Sequence, residues 1–255
     1  MPLDPSAEIA LSPLEQARFG VRAARAFARE EEDVARFDAF CAAERVDVLI
    51  VRCSTAALNV VRRYERSGAL LMDCLVYYTC DLPTASRRTN AYAFAIKPVR
   101  SADADDVAIV AARAFADYRG HYHADPLFDP RAATDGYADW ARRSCEDESV
   151  ADAVFAAYAD GAIAGFITLK RRGAEEVEIL LNGVDPALAG RGVYASLLAR
   201  ALDWAVDSGA ARCVVSTQLD NVRVQRSWVR HGFTLTESYY TFHKWYRSPG
   251  NRDRL

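Results

Sequence analysis

Residues 178–198, EILLNGVDPALAGRGVYASLL, decide how the rest of this chain is understood. Glu178 to Gly183 carry the apolar run of a buried strand, and Val184-Asp185-Pro186 ends it, because proline has no N–H to give to a ladder. Ala189-Gly190-Arg191-Gly192 follows, and apolar residues then recur at helical spacing from Val193 to Asp207. Two glycines let the backbone turn tightly and come close to a ligand. The first N–H groups of the helix beyond have no partners inside it, and with the helix dipole they form an anion site. Arg191 adds a fixed positive charge beside them. The spacing predicts a strand, loop and helix that hold a phosphate-bearing cofactor. Neither GxGxxG nor GxxxxGK[ST] is present, which removes the dinucleotide and P-loop readings.

The whole chain sets the frame for that stretch. It has 255 residues, 51% hydrophobic and 26% charged, with a net charge of −3, enough for one large domain or two smaller ones. Mild acidity argues against a nucleic-acid partner, which requires basic patches. No run of about eighteen apolar residues occurs, so no membrane span is expected. The N-terminus lacks a basic region before an apolar core, and a cytoplasmic location is expected. The six cysteines form no CxxC pair and sit in apolar segments, so they are expected as free thiols, with no metal.

Outward from the loop, Pro13 to Glu44 carry a helical pattern, Val46 to Arg52 a buried strand, Ser54 to Ser67 a helix, and Ala69 to Tyr78 a second apolar run. Asp81 to Thr89, polar and proline-containing, is expected as a linker. It divides the chain into residues 1–91 and 92–255. In the second part, strands are expected at Ala93 to Val99, Ala153 to Ala159, Ile163 to Lys170, Glu178 to Val184 and Arg212 to Thr217. Helices are expected at Ala102 to Tyr118, Pro130 to Arg143, Val193 to Asp207 and Asn221 to Arg230. Two strands, Phe233 to Glu237 and Tyr239 to Tyr246, close the chain. Asp160-Gly161 signals a hairpin.

An internal likeness joins the two parts. Ser54-Thr55 pairs with Ser216-Thr217, Asn59 with Asn221, and Tyr77-Tyr78-Thr79 with Tyr239-Tyr240-Thr241, whereas Gly68 pairs with Gly232 two positions out of step. Each copy is expected as strand–helix–strand, a degenerate repeat. The first has no glycine loop before it, since Arg22 to Glu44 lacks glycine and is expected to be helical.

The glycine loop resembles the acetyl-CoA-binding segment of the GCN5-related N-acetyltransferases (GNAT), whose pattern is Q/R-x-x-G-x-G/A. The element order β-α-α-β-β-β-α-β-α-β-β, expected from residue 92 to 247, resembles that family too. Gly192 takes the place of the family's glycine, while Ala189 stands for Gln or Arg and Tyr194 for Gly or Ala. Within the family, HYHADP, LNGVDP…GRGVY, STQLDN…VQRSW and YYTFH look closest to the nucleotide-amino-sugar N-acetyltransferases, the branch that includes dTDP-fucosamine acetyltransferase.

The resemblance implies an α/β fold with a mixed, mostly antiparallel, splayed sheet, preceded by a partial acetyltransferase-like domain. It implies acetyl-CoA as co-substrate and a small-molecule amine as acceptor, first of all a nucleotide-linked amino sugar. An aminoglycoside, polyamine or amino-acid amine is the alternative acceptor, and a non-catalytic acyl-CoA-binding module the alternative from another class. A homodimer is compatible with the long apolar strands. The cofactor site implied is Val184, Ala189, Gly190, Arg191, Gly192, Val193 and Tyr194, with Asn221 and Trp228 from the last helix. A catalytic base is implied at Glu178, with a solvent-facing carboxylate among Glu175, Glu176 and Glu178 as the bland reading. Alternation would place Glu178 and Asn182 on one strand face. His121, His123 and Asn182 are candidates for the acceptor, with Asp125 beside His123. The tyrosine that many relatives use as general acid, seven residues after the Asn, is here Trp228. An indole cannot release its proton near neutral pH. Tyr240 is taken first as its substitute, with Tyr194, His231 and unassisted departure of the thiolate as alternatives.

Overall fold

The computed structural model describes residues 9–82 and 93–247. Pro83 to Thr89 of the expected linker, and Tyr92, lie outside these. In chain order the elements are β1 (Ile9–Ser12), α1 (Pro13–Phe19), β2 (Ala23–Ala28), α2 (Glu32–Ala43), β3 (Val48–Ser54), α3 (Leu58–Arg66) and β4 (Leu70–Asp81). Then follow β5 (Ala95–Pro98), α4 (Ala104–Ala114), α5 (His121–Ala124), α6 (Pro130–Glu146), β6 (Ala153–Ala159), β7 (Ala162–Arg172) and β8 (Glu176–Val184). The last are α7 (Val193–Asp207), β9 (Arg212–Gln218), α8 (Val222–Arg230) and β10 (Thr234–Trp245).

Contacts divide the chain into two compact units that are not continuous in sequence. The first comprises Met1–Val76, Arg119–Ala133 and Glu237–Leu255, and the second Tyr77–Tyr118 and Thr134–Thr236. Compactness thus cuts the chain differently from a single boundary after residue 91, because β10 and the α5 segment join the first unit.

In the first unit β1 pairs antiparallel with β2, β2 parallel with β3, and β3 antiparallel with the Tyr239–Trp245 part of β10. The apolar run of β3 is continuous because both its faces are covered. Leu49, Val51 and Cys53 meet Phe37, Val60 and Tyr64 of α2 and α3, whereas Val48 and Ile50 meet Tyr122 and Phe128. Two expectations fail here. Ala23–Ala28 is a strand, not part of a helix: its alanines favour helix intrinsically, but six register pairs with β3 override that preference. Gly20, at φ 64, ends α1 and was the available signal. The closing pair of strands is likewise one strand, β10, running through Ser238 without interruption.

In the second unit the strand order is β9-β8-β7-β6-β5, antiparallel except for the parallel pair β8–β9. The Asp160-Gly161 turn between β6 and β7 has φ 50 and 81, the geometry of a tight hairpin. Val107, Val110 and Ala111 of α4, with Phe115 that follows it, pack with Ala141 of α6 on Phe166 and Leu181. Helix α7 packs on β6, β7 and β8, burying Leu197, Leu198, Ala201 and Leu202. A Cβ on Gly165 would stand 2.8 Å from the Gly183 carbonyl and 3.1 Å from Leu197, so glycine is what lets α7 approach β7.

The expected open, mixed, mostly antiparallel sheet is therefore present, and β8, the glycine loop and α7 fall where the sequence placed them. The expected repeat is present in a different register. β3, α3 and β4 have 7, 9 and 12 residues, and β9, α8 and β10 the same lengths, each beginning 164 positions later. Gly68 and Gly232 obey that offset; the Ser-Thr, Asn and Tyr-Tyr-Thr matches do not, and lie two positions out of structural register. Among the described residues no helix is long and apolar enough to cross a membrane.

Candidate active site

The site begins with a parting of two strands. β8 and β9 pair only from Glu176↔Arg212 to Ile179↔Val215, although β8 continues to Val184 and β9 to Gln218. On the other edge of β8, Ile179 opposes Leu169 and Leu181 opposes Thr168, which leaves Leu180 as the extra residue of a β-bulge. The buried Thr168 hydroxyl holds the bulge, accepting from the Leu181 N–H at 3.0 Å and donating to its carbonyl at 3.2 Å. Beyond the bulge the Asp185 N–H donates to the Ala164 carbonyl at 2.9 Å. N–H directions alternate along a strand, so the Val184 N–H turns away from β7, into the opening left by β9. That N–H is a preorganised donor with no ladder to join.

The bulge also corrects an expectation. Because it shifts the alternation, Glu178 shares a face with Leu181 and Thr168, while Asn182 shares one with Ile179 and Ile167. The two side chains stand on opposite faces of the sheet. Glu178 is 6% exposed rather than solvent-facing, and its carboxylate accepts from Arg172 Nε at 2.7 Å. Burial pushes its pKa above the ordinary carboxylate value, and the Arg172 guanidinium opposes that push without cancelling it.

After β8 the chain is pinned by Asp185, which accepts from the Ala187 N–H at 3.0 Å and from Arg113 at 2.9 Å. Both loop glycines have left-handed φ, 83 at Gly190 and 90 at Gly192, and nothing lies within 4 Å of where their Cβ atoms would be. Gly192 is the N-cap of α7 and supplies no side chain there, so the first N–H groups of a 15-residue helix have no side-chain cap. This is a cradle into which a phosphate can come close. Ala189 and Arg191 are exposed on it, and Val193 is buried beneath.

Tyr194, second residue of α7, reaches the helix that follows β9. Its hydroxyl accepts from Trp228 Nε1 at 2.6 Å. The bond ties α7 to α8 and so links the helices that follow the two parted strands. Trp228 itself is 1% exposed and packs on Tyr78 with ring centres 5.4 Å apart. Expected either beside the cofactor or packed in the core, it is buried and holds a phenol. Burial keeps the Tyr194 proton on well above neutral pH, partly offset by the Trp228 bond. Asn221 precedes α8 as its N-cap by position, but its side chain donates to Thr217 Oγ1 at 3.0 Å and does not cap the helix. His231 bonds the Ser227 carbonyl through Nδ1 at 2.8 Å.

The remaining candidates lie in the first unit. Tyr240 pairs with Cys53 in register and packs with Phe242 at the edge of the core. His121 forms a chain with residues not singled out for it: His121 Nδ1 bonds His243 Nε2 at 2.9 Å, and His243 Nδ1 bonds Asp125 Oδ2 at 2.6 Å. Trp245 Nε1 donates to the same carboxylate oxygen at 2.8 Å. Asp125 therefore serves His243, not His123, whose Nδ1 accepts from the Gly120 N–H at 3.2 Å within its own turn. Burial first, then His243, Arg25 and Arg52, drive the His121 pKa well below its usual value. No group of three metal-ligating side chains occurs among the described residues.

A mixed sheet parted beside a glycine cradle, with an N–H turned into the opening, has the layout of an acyl-transfer enzyme. Residues 113–233 match the acetyltransferase (GNAT) family. Over 141 residues the chain is 30% identical to an uncharacterized N-acetyltransferase of Mycobacterium tuberculosis, spanning 52% of this chain and 84% of that protein. It is 26% identical over 230 residues to the dTDP-fucosamine acetyltransferase of Escherichia coli, covering 90% of this chain and 95% of the relative. It is 28% identical over 152 residues to the spore coat polysaccharide biosynthesis protein SpsD of Bacillus subtilis, where 60% of this chain spans 51% of the relative. In fold it is similar to a GCN5-related N-acetyltransferase from Sphaerobacter thermophilus, with a TM-score of 0.56, 15% identity, and 85% and 65% of the two chains covered. A tandem GNAT protein from the clavulanic acid biosynthesis pathway gives a TM-score of 0.59 at 12% identity, with 89% and 76% covered. The chain belongs to the acetyltransferase (GNAT) family and is an acyltransferase.

Proposed function

We propose that this enzyme moves an acetyl group from acetyl-CoA to the primary amine of a nucleotide-linked amino sugar. The observation that carries the reading is the Val184 N–H turned into the β8–β9 opening beside the Gly190–Gly192 cradle. The cradle suits the pyrophosphate of acetyl-CoA, with Arg191 as a cation at its rim. The Val184 N–H suits the thioester oxygen, where a fixed donor stabilises the charge of the tetrahedral intermediate. Glu178 is the proposed base, its raised pKa bringing it nearer the working pH. Tyr194 is the proposed acid. The Trp228 N–H occupies a lone pair of its oxygen and leaves the hydroxyl proton free to give. As the amine nitrogen bonds to the carbonyl carbon and the C–S bond breaks, the electron pair and the Tyr194 proton go to sulfur. The amine proton passes to Glu178, and solvent returns a proton to the phenolate.

Asn221, Asn182, His121 and His123 are proposed on the binding surfaces for the two substrates. The amino-sugar acceptor is supported by the dTDP-fucosamine acetyltransferase, which this chain matches over nearly its full length. Residues 1–91 are proposed as a partial acetyltransferase-like domain and 92–255 as the catalytic one. The matching lengths of β3-α3-β4 and β9-α8-β10 support this. The two copies differ where binding is proposed. β2 and β3 stay paired from Ala23↔Val48 to Ala28↔Cys53, and the N–H groups of Arg29 and Glu30 before α2 are bonded to Asp33.

Thiol release from acetyl-CoA, measured with dTDP-fucosamine, glucosamine, spermidine, kanamycin and lysine, tests the acceptor. The highest kcat/KM is expected with dTDP-fucosamine. An equal or higher value with an amine lacking the nucleotide would contradict that choice.

A further inference from the structure

The bulge in β8 governs which of its N–H groups face the β8–β9 opening. From Phe166 to Arg172, β7 carries no extra residue against β8, so alternate residues face it: Phe166 opposite Gly183, Thr168 opposite Leu181, Lys170 opposite Glu178 and Arg172 opposite Glu176. The N–H groups that β8 turns to β7 therefore belong to even-numbered residues before the bulge and to odd-numbered ones after it. The Asp185 N–H, bonded to the Ala164 carbonyl at 2.9 Å, continues the odd series. Without the extra residue Leu180, the even series would run on to Val184 and put its N–H into the ladder. The bulge is thus what turns that N–H toward the opening.

Two features hold the extra residue where it is. The Thr168 hydroxyl, in a residue that is 0% exposed, serves both backbone groups of Leu181. One oxygen fills both roles because a hydroxyl has a proton to donate and lone pairs to accept with. Without it, two buried backbone groups would lose a partner at a point where the ladder is already broken. Gly183 acts from the helix side. A Cβ there would stand 2.9 Å from the Ala114 side chain of α4 and 3.0 Å from Phe166. A slip of one residue would bring Asn182 opposite Phe166, where no side chain fits, so α4 favours the bulged register.

We propose that Thr168 is a positioning residue for acetyl transfer: its hydroxyl fixes the bulge and so keeps the Val184 N–H aimed at the opening. The proposal rests on the reading of Val184 as the donor to the thioester oxygen. Fully buried, Thr168 acts through the backbone of β8 and touches neither substrate. A donor fixed in advance needs no reorganisation as charge develops on the oxygen. An unpinned strand lets that donor wander, and a misplacement of about 1 Å costs about 10²-fold in rate. Sequence reasoning did not single out Thr168, because a threonine within an apolar strand gains this role only from the extra residue on its partner.

The test combines amide hydrogen exchange with steady-state kinetics on the full chain. In the wild type without ligand, the Leu181 and Asp185 amides are expected to exchange about tenfold or more slowly than the Val184 amide. Thr168→Val keeps the side-chain shape and removes the hydroxyl. It is expected to speed exchange at Leu181 and to lower kcat by about tenfold or more, with KM for acetyl-CoA within about twofold of wild type. Thr168→Ser keeps the hydroxyl and is expected to restore both. A packing role alone predicts the reverse ranking, since valine fills the site and serine does not. A kcat for Thr168→Val equal to or above that of Thr168→Ser therefore overturns the proposal. Faster exchange at Leu181 in Thr168→Val with wild-type kcat keeps the pinned bulge and sinks the Val184 donor instead. Where Thr168→Val does not fold, the wild type decides: a Leu181 amide that exchanges as fast as that of Val184 overturns the pin.

Discussion

At the scale of single residues, the account turns on a carboxylate and a phenol. Glu178→Gln is expected to lower kcat by about 10²-fold or more, as loss of a general base does, with acetyl-CoA binding retained. The pH profile is the sharper check. Burial raises the Glu178 pKa and Arg172 holds part of that rise back. Activity should fall as pH drops through that raised value. Removing the opposing charge in Arg172→Gln should move this acidic limb to higher pH, and a limb that stays put would exclude Glu178 as the base. Tyr194→Phe is expected to cost about 10²-fold in kcat at unchanged KM for acetyl-CoA, and a kcat within twofold of wild type would exclude the phenol. The sequence marked Glu178 as a candidate but put it on a face with Asn182, because alternation was counted through a bulge that no single residue signals. Trp228 was set aside as an acid because an indole does not release its proton near neutral pH. That its indole would hold Tyr194 depended on the packing of two residues 34 positions apart on different helices, which periodicity does not encode.

At the scale of elements, the legible parts were those with strong local chemistry. The strand, glycine loop and helix from β8 to α7 were visible because Pro186, two glycines and a 3.6-residue apolar period each act locally. β2 was not, because an alanine-rich segment has helical preference and becomes a strand only through its long-range partner β3. Gly192→Ala tests the loop directly. The new Cβ would sit in the cradle at a φ of 90, which L residues rarely adopt, at a strain of about 1–2 kcal/mol. Acetyl-CoA affinity should fall by about tenfold or more, since one bond to a charged group is worth about 1.5–3 kcal/mol. Undiminished affinity in calorimetry would remove the loop from the site. Gly165→Ala should act differently, lowering stability by about 1–3 kcal/mol through its 2.8 Å approach to the Gly183 carbonyl. A melting point equal to wild type would contradict that packing argument.

At the scale of the whole molecule, a β-α-β-α-β run occurs twice, and only the second run has parted strands and an open glycine loop. Sequence reasoning saw the repeat but set its register two positions out, misled by identities that do not share structural places. Stability should carry the mark of the first unit's buried histidine. His121 stays neutral in the folded chain but takes up a proton near pH 6.5 when unfolded. The unfolded state therefore binds more protons below that pH, and stability falls as pH drops, by up to about 1.4 kcal/mol per pH unit. His121→Asn should flatten this dependence in denaturant titrations between about pH 6.5 and 5, and an unchanged slope would contradict it. The central claim, that the parted strands and the loop of the second run hold acetyl-CoA, is tested most directly by thermal melting with and without that ligand. At a hundred times its dissociation constant the gain should be about 2.7 kcal/mol, or about 5–10 °C. A shift of that size in the wild type, reduced in Gly192→Ala, is the predicted result. A melting point unmoved by millimolar acetyl-CoA would contradict the account.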